Sequence, residues 1–146
     1  MIQRIQTIWL LLAATLSFVS LQTSFFSGIK PMANDTAVQS EPAFTQITGM
    51  TNWMLLATTV VMALIALISI FLYKSRPTQM RVALVGLLLS VGLIFLYYRE
   101  TRQFPAGQGT MDLSALVVMF IPFLFFLAIR GIYKDEHLVK SVNRLR

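Results

Sequence analysis

Two apolar runs with a basic break between them constrain this chain more than any other feature. Trp53–Tyr73 and Val82–Tyr98 hold no charged residue, and Lys74, Arg76 and Arg81 fall in the short stretch that separates them. A hydrocarbon core about 30 Å thick is crossed by roughly 20 apolar residues in a helix rising about 1.5 Å each. Trp53–Tyr73 meets that length. Val82–Tyr98 meets it with help from its flanks, because Arg81 and Arg99 can lay their stems along the helix and keep their charges among the headgroups. Lipid offers backbone groups no partner, so both runs are expected to be helical throughout. Trp53, Tyr73, Tyr97 and Tyr98 stand at the run ends, a depth that amphipathic rings prefer. A water-soluble fold with two buried helices is the competing explanation. It fails on surface, since a chain 56% hydrophobic and 12% charged has too few polar residues to cover runs of this kind.

Two further runs complete the pattern. Thr7–Phe26 is interrupted by Ser17, Ser20, Gln22, Thr23 and Ser24, and Leu113–Ile129 carries Pro122 in its middle. Arg4 ahead of the first run resembles a secretory leader, but neither Val19-Ser20-Leu21 nor Leu21-Gln22-Thr23 offers a small-x-small cleavage site, so an uncleaved helix is expected. Pro122 cannot donate to the carbonyl of Val118, which predicts a kink. Gly28, Pro31, Asn34, Asp35, Pro42 and Gly49 mark 27–50 as a loop, with Phe44 and Ile47 dipping into the interface; Phe104-Pro105, Gly107 and Gly109 do the same for 99–112. Asn34-Asp35-Thr36 matches a glycosylation triplet at the level of chance. Beyond the fourth run, Leu138, Val142 and Leu145 share one helix face, and Glu136 with Lys140 forms an i,i+4 pair.

The expected architecture is an all-α membrane protein: four transmembrane helices in an up-down-up-down bundle, with a short amphipathic cytoplasmic tail helix. The helices fall at about 5–26, 51–73, 82–98 and 113–133. Outer loops occupy 27–50 and 99–112, a cytoplasmic loop 74–81 and a cytoplasmic tail 134–146, all in a single domain of 146 residues. Charge sets the orientation. With both termini inside, Arg4, Lys74, Arg76, Arg81, Arg130, Lys134, Lys140, Arg144 and Arg146 lie on the inner side, and only Lys30, Arg99 and Arg102 on the outer. Short loops with that bias obey the positive-inside rule. The two halves share a plan of helix, outer loop, helix, but no repeated residues support inverted-repeat transport. The net charge of +6 sits beside apolar runs, so it points to anionic headgroups and not to nucleic acid. The absence of cysteine excludes disulfides, thiolate metal sites and a cysteine nucleophile.

Intramembrane titratable groups are where function is sought first, and none lies in the four runs. The polar residues available there are Ser17, Ser20, Gln22, Thr58, Thr59, Ser69 and Ser90, expected to bond their own helix backbone or a neighbouring helix. Ala13-x-x-x-Ser17, Ser20-x-x-x-Ser24 and Gly86-x-x-x-Ser90 allow close helix approach, within the bundle in preference to a dimer seam. His137 is the only histidine and reads as a solvated tail residue; one ligand makes no metal site, and no cofactor motif is present. Asp135 and Glu136 point in different directions on a helix and read as surface charges, not an acid/base pair.

The opening Met1-Ile2-Gln3-Arg4-Ile5-Gln6-Thr7 with Leu10-Leu11-Leu12-Ala13-Ala14 resembles the start of the family called domain of unknown function 4293. So do the junction Phe71-Leu72-Tyr73-Lys74 and the ending Ala128-Ile129-Arg130, Lys134-Asp135-Glu136, Leu138-Val139-Lys140-Ser141 and Asn143-Arg144-Leu145-Arg146. The resemblance runs end to end and is most specific at the termini. It implies a four-helix inner-membrane protein of Bacteroidota, and it implies no activity and no catalytic residues.

The expectation is therefore a non-enzymatic accessory or scaffold subunit of a larger inner-membrane assembly. Lys134, Lys140, Arg144 and Arg146 in the tail, with Lys74, Arg76 and Arg81 in the loop, are the residues expected to contact another membrane protein or anionic lipid. The alternative is a small-molecule or lipid-binding, even transporting, protein with a cavity near Pro122 and Gln22, lined by Ser17 and Ser20.

Overall fold

The computed structural model describes residues 3–30, 43–105, 107 and 109–143. Four helices dominate: α1 (Gln3–Gln22), α2 (Trp53–Phe71), α3 (Arg76–Thr101) and α4 (Ala115–Asn143). Each is long and apolar enough to cross a membrane. α1 packs on α2 and α4, and α3 also packs on α2 and α4. The chain is not purely helical, as the residues had suggested. Strands β1 (Phe26–Lys30), β2 (Ala43–Ile47) and β3 (Gly109–Met111) form an antiparallel sheet with β1 in the centre. Phe26 faces Ile47 on one side and Met111 on the other. α1 ends at Gln22, short of the expected 26, and Phe26 begins β1; the rest of the three strands lies in the two segments expected to be plain loops and ties them together at one end of the bundle.

Local chemistry explains the helix limits. Asn52 caps α2, its side chain accepting from the Met54 N–H at 3.2 Å. A 3₁₀ turn at Leu72–Lys74 ends that helix, and α3 starts at once with Pro77 in its first turn. Proline is suited to that position, because its missing N–H would be unpaired there in any case. The expected loop 74–81 is thus mostly the first turns of α3, which runs 26 residues and not the 17 of the apolar run alone. α3 also extends past Tyr98 to Thr101 and takes in Glu100. The tail is likewise not a separate helix: α4 runs unbroken from Ala115 through Pro122 to Asn143.

The bundle buries small and hydroxyl side chains alongside large apolar ones such as Leu10, Leu55 and Phe125, and turns other large apolar side chains outward. Ser17, Ser20, Thr59, Ser69 and Ser90 are buried, together with Ala13, Ala63, Ala66, Ala83 and Ala128. Leu88, Phe95, Phe71, Phe120, Phe123 and Phe126 face outward. A contiguous apolar exterior of this extent is not tolerated by a monomer in water. The buried hydroxyls bond their own helix: Ser17 to Ala13 O at 2.6 Å, Thr59 to Leu55 O at 2.7 Å, Ser69 to Ile65 O at 2.8 Å and Ser90 to Leu87 O at 2.6 Å. Gly86 turns toward α4, where a Cβ would stand 2.4 Å from the Phe125 ring, so its lack of a side chain sets the α3–α4 approach. Tyr97, expected at the interface, is instead fully buried and stacks on Phe25 at 4.6 Å. Ile47 is also in the core, whereas Phe44, Trp53, Tyr73 and Tyr98 are exposed.

Candidate functional site

Among the described residues the charged and amide side chains gather at the two ends of the bundle. At the sheet end, Asn52 Nδ2 donates to Glu100 Oε1 at 3.0 Å, and Gln103 Nε2 donates to Glu100 Oε2. Arg99 lies 3.4 Å from the same carboxylate. Glu100 is buried by this arrangement, which links the start of α2 to the end of α3. Nearby, Ser27 Oγ donates to Asp112 Oδ1 at 2.8 Å and Ser114 Oγ donates to the Ser24 carbonyl, so β1 is fastened to the approach to α4. Both oxygens of Glu100 are engaged by donors at a joint between elements, whereas Asp112 is engaged through Oδ1 and its Oδ2 is buried without a hydrogen-bond partner among the described residues.

The opposite, basic end carries the candidate site. Gln6 of α1 donates from Nε2 to Asp135 Oδ2 at 2.6 Å and to the Gly131 carbonyl at 3.1 Å. Both partners are acceptors, so the amide nitrogen must face them. Gly131 permits the approach, since a Cβ there would meet Gln6 Cγ at 2.9 Å. Arg76 Nη1 donates to the Asp135 carbonyl at 2.8 Å, and Gln79 Nε2 donates to the Ser69 carbonyl at 3.0 Å. Gln6 and Asp135 are each 6% exposed. The group therefore clamps α1 and α3 onto α4. Asp135 is not the surface charge that its place in a polar tail suggested. Glu136, the next residue and so about 100° further round the helix, lies instead toward α3 beside Met80 and Arg81.

The expected contact residues divide into three groups. Arg76 is half-buried and spent on the clamp. Arg81 and Lys134 are exposed. Lys74 and Lys140 lie in helical backbone whose side chains fall outside the description, and Arg144 and Arg146 lie outside the described residues. Two participants were not singled out from the residues alone. Gln6 is polar and close to the start of an apolar run, and Arg130 is the basic residue at the end of one; those positions were the available signals. Arg130 and Lys134 line a groove of about 260 Å³ between α1 and α4, and Arg81 lines another of about 350 Å³ between α3 and α4. Both grooves are at the basic end, away from Pro122 and Gln22. Gln22 is exposed, while Ser17 and Ser20 are sealed in the core. His137 is exposed beside Tyr133 and Glu136, and among the described residues no three His, Cys, Asp or Glu converge as metal ligands would.

A family model described as a domain of unknown function (DUF4293) matches residues 2–145. No curated protein and no solved structure matches the chain.

Proposed function

The chain belongs to the DUF4293 family, and from that premise we propose that it is a non-enzymatic accessory or scaffold subunit of a larger inner-membrane assembly. In this reading the helices run up-down-up-down, both termini are cytoplasmic, and the basic end meets a partner protein or the anionic leaflet. One observation carries it: the exposed cations Arg81, Arg130 and Lys134 sit together at one end, while the interior hydroxyls are consumed by their own helices. The buried carboxylates Glu100 and Asp135 support it further, because both are occupied as joints between helices. A small-molecule or transport cavity near Pro122 and Gln22 draws less support from the sealed serines and the outward Gln22.

Co-purification from native membrane in mild detergent, followed by mass spectrometry, tests the subunit role. A stoichiometric membrane partner is expected, and a lone species contradicts the proposal. Replacing Lys140, Arg144 and Arg146 with alanine should weaken that association and leave insertion intact.

A further inference from the structure

We propose that the groove between α1 and α4 is a site for an anionic phospholipid, its phosphate held between Arg130 and Lys134 and one acyl chain lying along Ile5, Trp9 and Leu127. Arg130 and Lys134 are four residues apart on α4 and so project from one face. Both are exposed and both line the groove. The adjacent carboxylate of Asp135 is buried, takes the Gln6 amide, and among the described residues forms no ion pair with either cation. Gly131 lets Gln6 close the floor between them, and Trp9 supplies an apolar wall.

The size of the groove selects the kind of occupant. At about 260 Å³ it falls below the roughly 300 Å³ at which enclosed small-molecule pockets begin. A lipid, still solvated by the bilayer on its outer side, needs no enclosure. Its chain gains little by leaving other lipid chains, which are equally apolar. Selectivity therefore rests on the headgroup. Two cations at an anionic leaflet give a preference of about 30-fold over a zwitterionic lipid. The α3/α4 groove provides a contrast within the same molecule: Arg81 there shares its walls with Glu136, so it presents no excess of positive charge. The inference rests on the membrane reading above but not on the subunit role.

The test uses Trp9 as its own reporter. Trp53→Phe leaves Trp9 as the sole tryptophan and alters a side chain that is 75% exposed on another helix. The protein is reconstituted in phosphatidylcholine bilayers containing increasing fractions of brominated-chain phosphatidylglycerol, or of brominated-chain phosphatidylcholine, which quench on contact. Half-maximal quenching by the anionic lipid is expected at about 30-fold lower mole fraction. Adding R130Q with K134Q should remove that difference while leaving quenching by phosphatidylcholine unchanged; R81Q should preserve it. Equal quenching by the two lipids without the charge changes overturns the proposal. So does a preference that survives R130Q/K134Q, or one that R81Q abolishes equally, since the latter marks a diffuse surface field and not a site.

Discussion

The clamp at the basic end makes a prediction whose sign is unusual: removing the neutral partner should cost more than removing the charged one. Gln6→Ala deletes a hydrogen bond to a carboxylate and one to a carbonyl, at 2.6 and 3.1 Å. A bond to a charged group contributes about 1.5–3 kcal/mol and a neutral one about 1 kcal/mol. Polar contacts in membrane proteins run lower, averaging about 0.6 kcal/mol, so a total near 2 kcal/mol is expected. Most of that is the penalty of leaving Asp135 Oδ2 buried with no donor. Asp135→Ala strands no charge. Gln6 keeps its bond to Gly131, and Arg76 keeps its bond to a main-chain carbonyl that the substitution does not touch. About 1 kcal/mol is expected. In the double variant no carboxylate remains to be stranded, so its cost should be about 1.5 kcal/mol, well short of the sum. Unfolding in mixed micelles of rising dodecyl sulfate content, followed in the Trp53→Phe background by Trp9 fluorescence one turn from Gln6, measures all three. Additive single and double effects, or Asp135→Ala proving worse than Gln6→Ala, would refute the reasoning.

Three further outcomes are expected. Gly86→Ala drives a methyl group into the Phe125 ring and should cost about 1–3 kcal/mol in the same unfolding assay, with Phe125→Leu recovering part of it. Asn52→Ala removes both the cap of α2 and a donor to Glu100, for a loss of about 2 kcal/mol, whereas Asn52→Asp keeps the cap and sets a second carboxylate against the first; if Asn52→Asp is as stable as the natural chain, the Asn52–Glu100 bond carries no weight. A fluorescent reporter that folds only in the cytoplasm should light up when fused after Arg146 and stay dark when inserted at Gly107, and the reverse pattern would invert the proposed orientation.

The helical core was legible because its signal is local and long. Nineteen residues from Trp53 to Phe71 without a charge leave no alternative in a bilayer. Pattern became misleading where hydropathy and helix propensity part company. Lys134, Glu136 and Lys140 lower hydropathy but are good helix formers, so α4 continues where an apolar run stops. Pro77 reads as a breaker in isolation and as a starter in the first turn of α3. The sheet was invisible for a different reason. β1 contains Gly28 and Lys30, and its partners are at 43–47 and 109–111, so no window of neighbouring residues displays the pairing that stabilises it. Burial of Asp135 is the same problem at full range, since it depends on Gln6, 129 positions earlier.

These long-range joints also say how the bundle is held. Among lipid chains, helices gain no hydrophobic driving force from meeting one another. The interior sets large apolar side chains such as Leu55, Met62 and Phe125 among small residues and self-bonded hydroxyls, and contacts such as Gly86 with Phe125 fix how closely two helices approach. The polar ends add bonds made only between particular helices. Gln6 and Arg76 choose α4 for α1 and α3 at one end, and Asn52 with Glu100 joins α2 to α3 at the other. Arg76 is consequently a poor candidate for partner recognition, although charge alone grouped it with Arg81 and Lys134. Arg76→Gln should therefore act on stability, lowering the dodecyl sulfate midpoint as Gln6→Ala does, while Arg81→Gln should leave that midpoint unchanged. If the two substitutions prove interchangeable in that measurement, the division of the basic residues into structural and free ones is wrong.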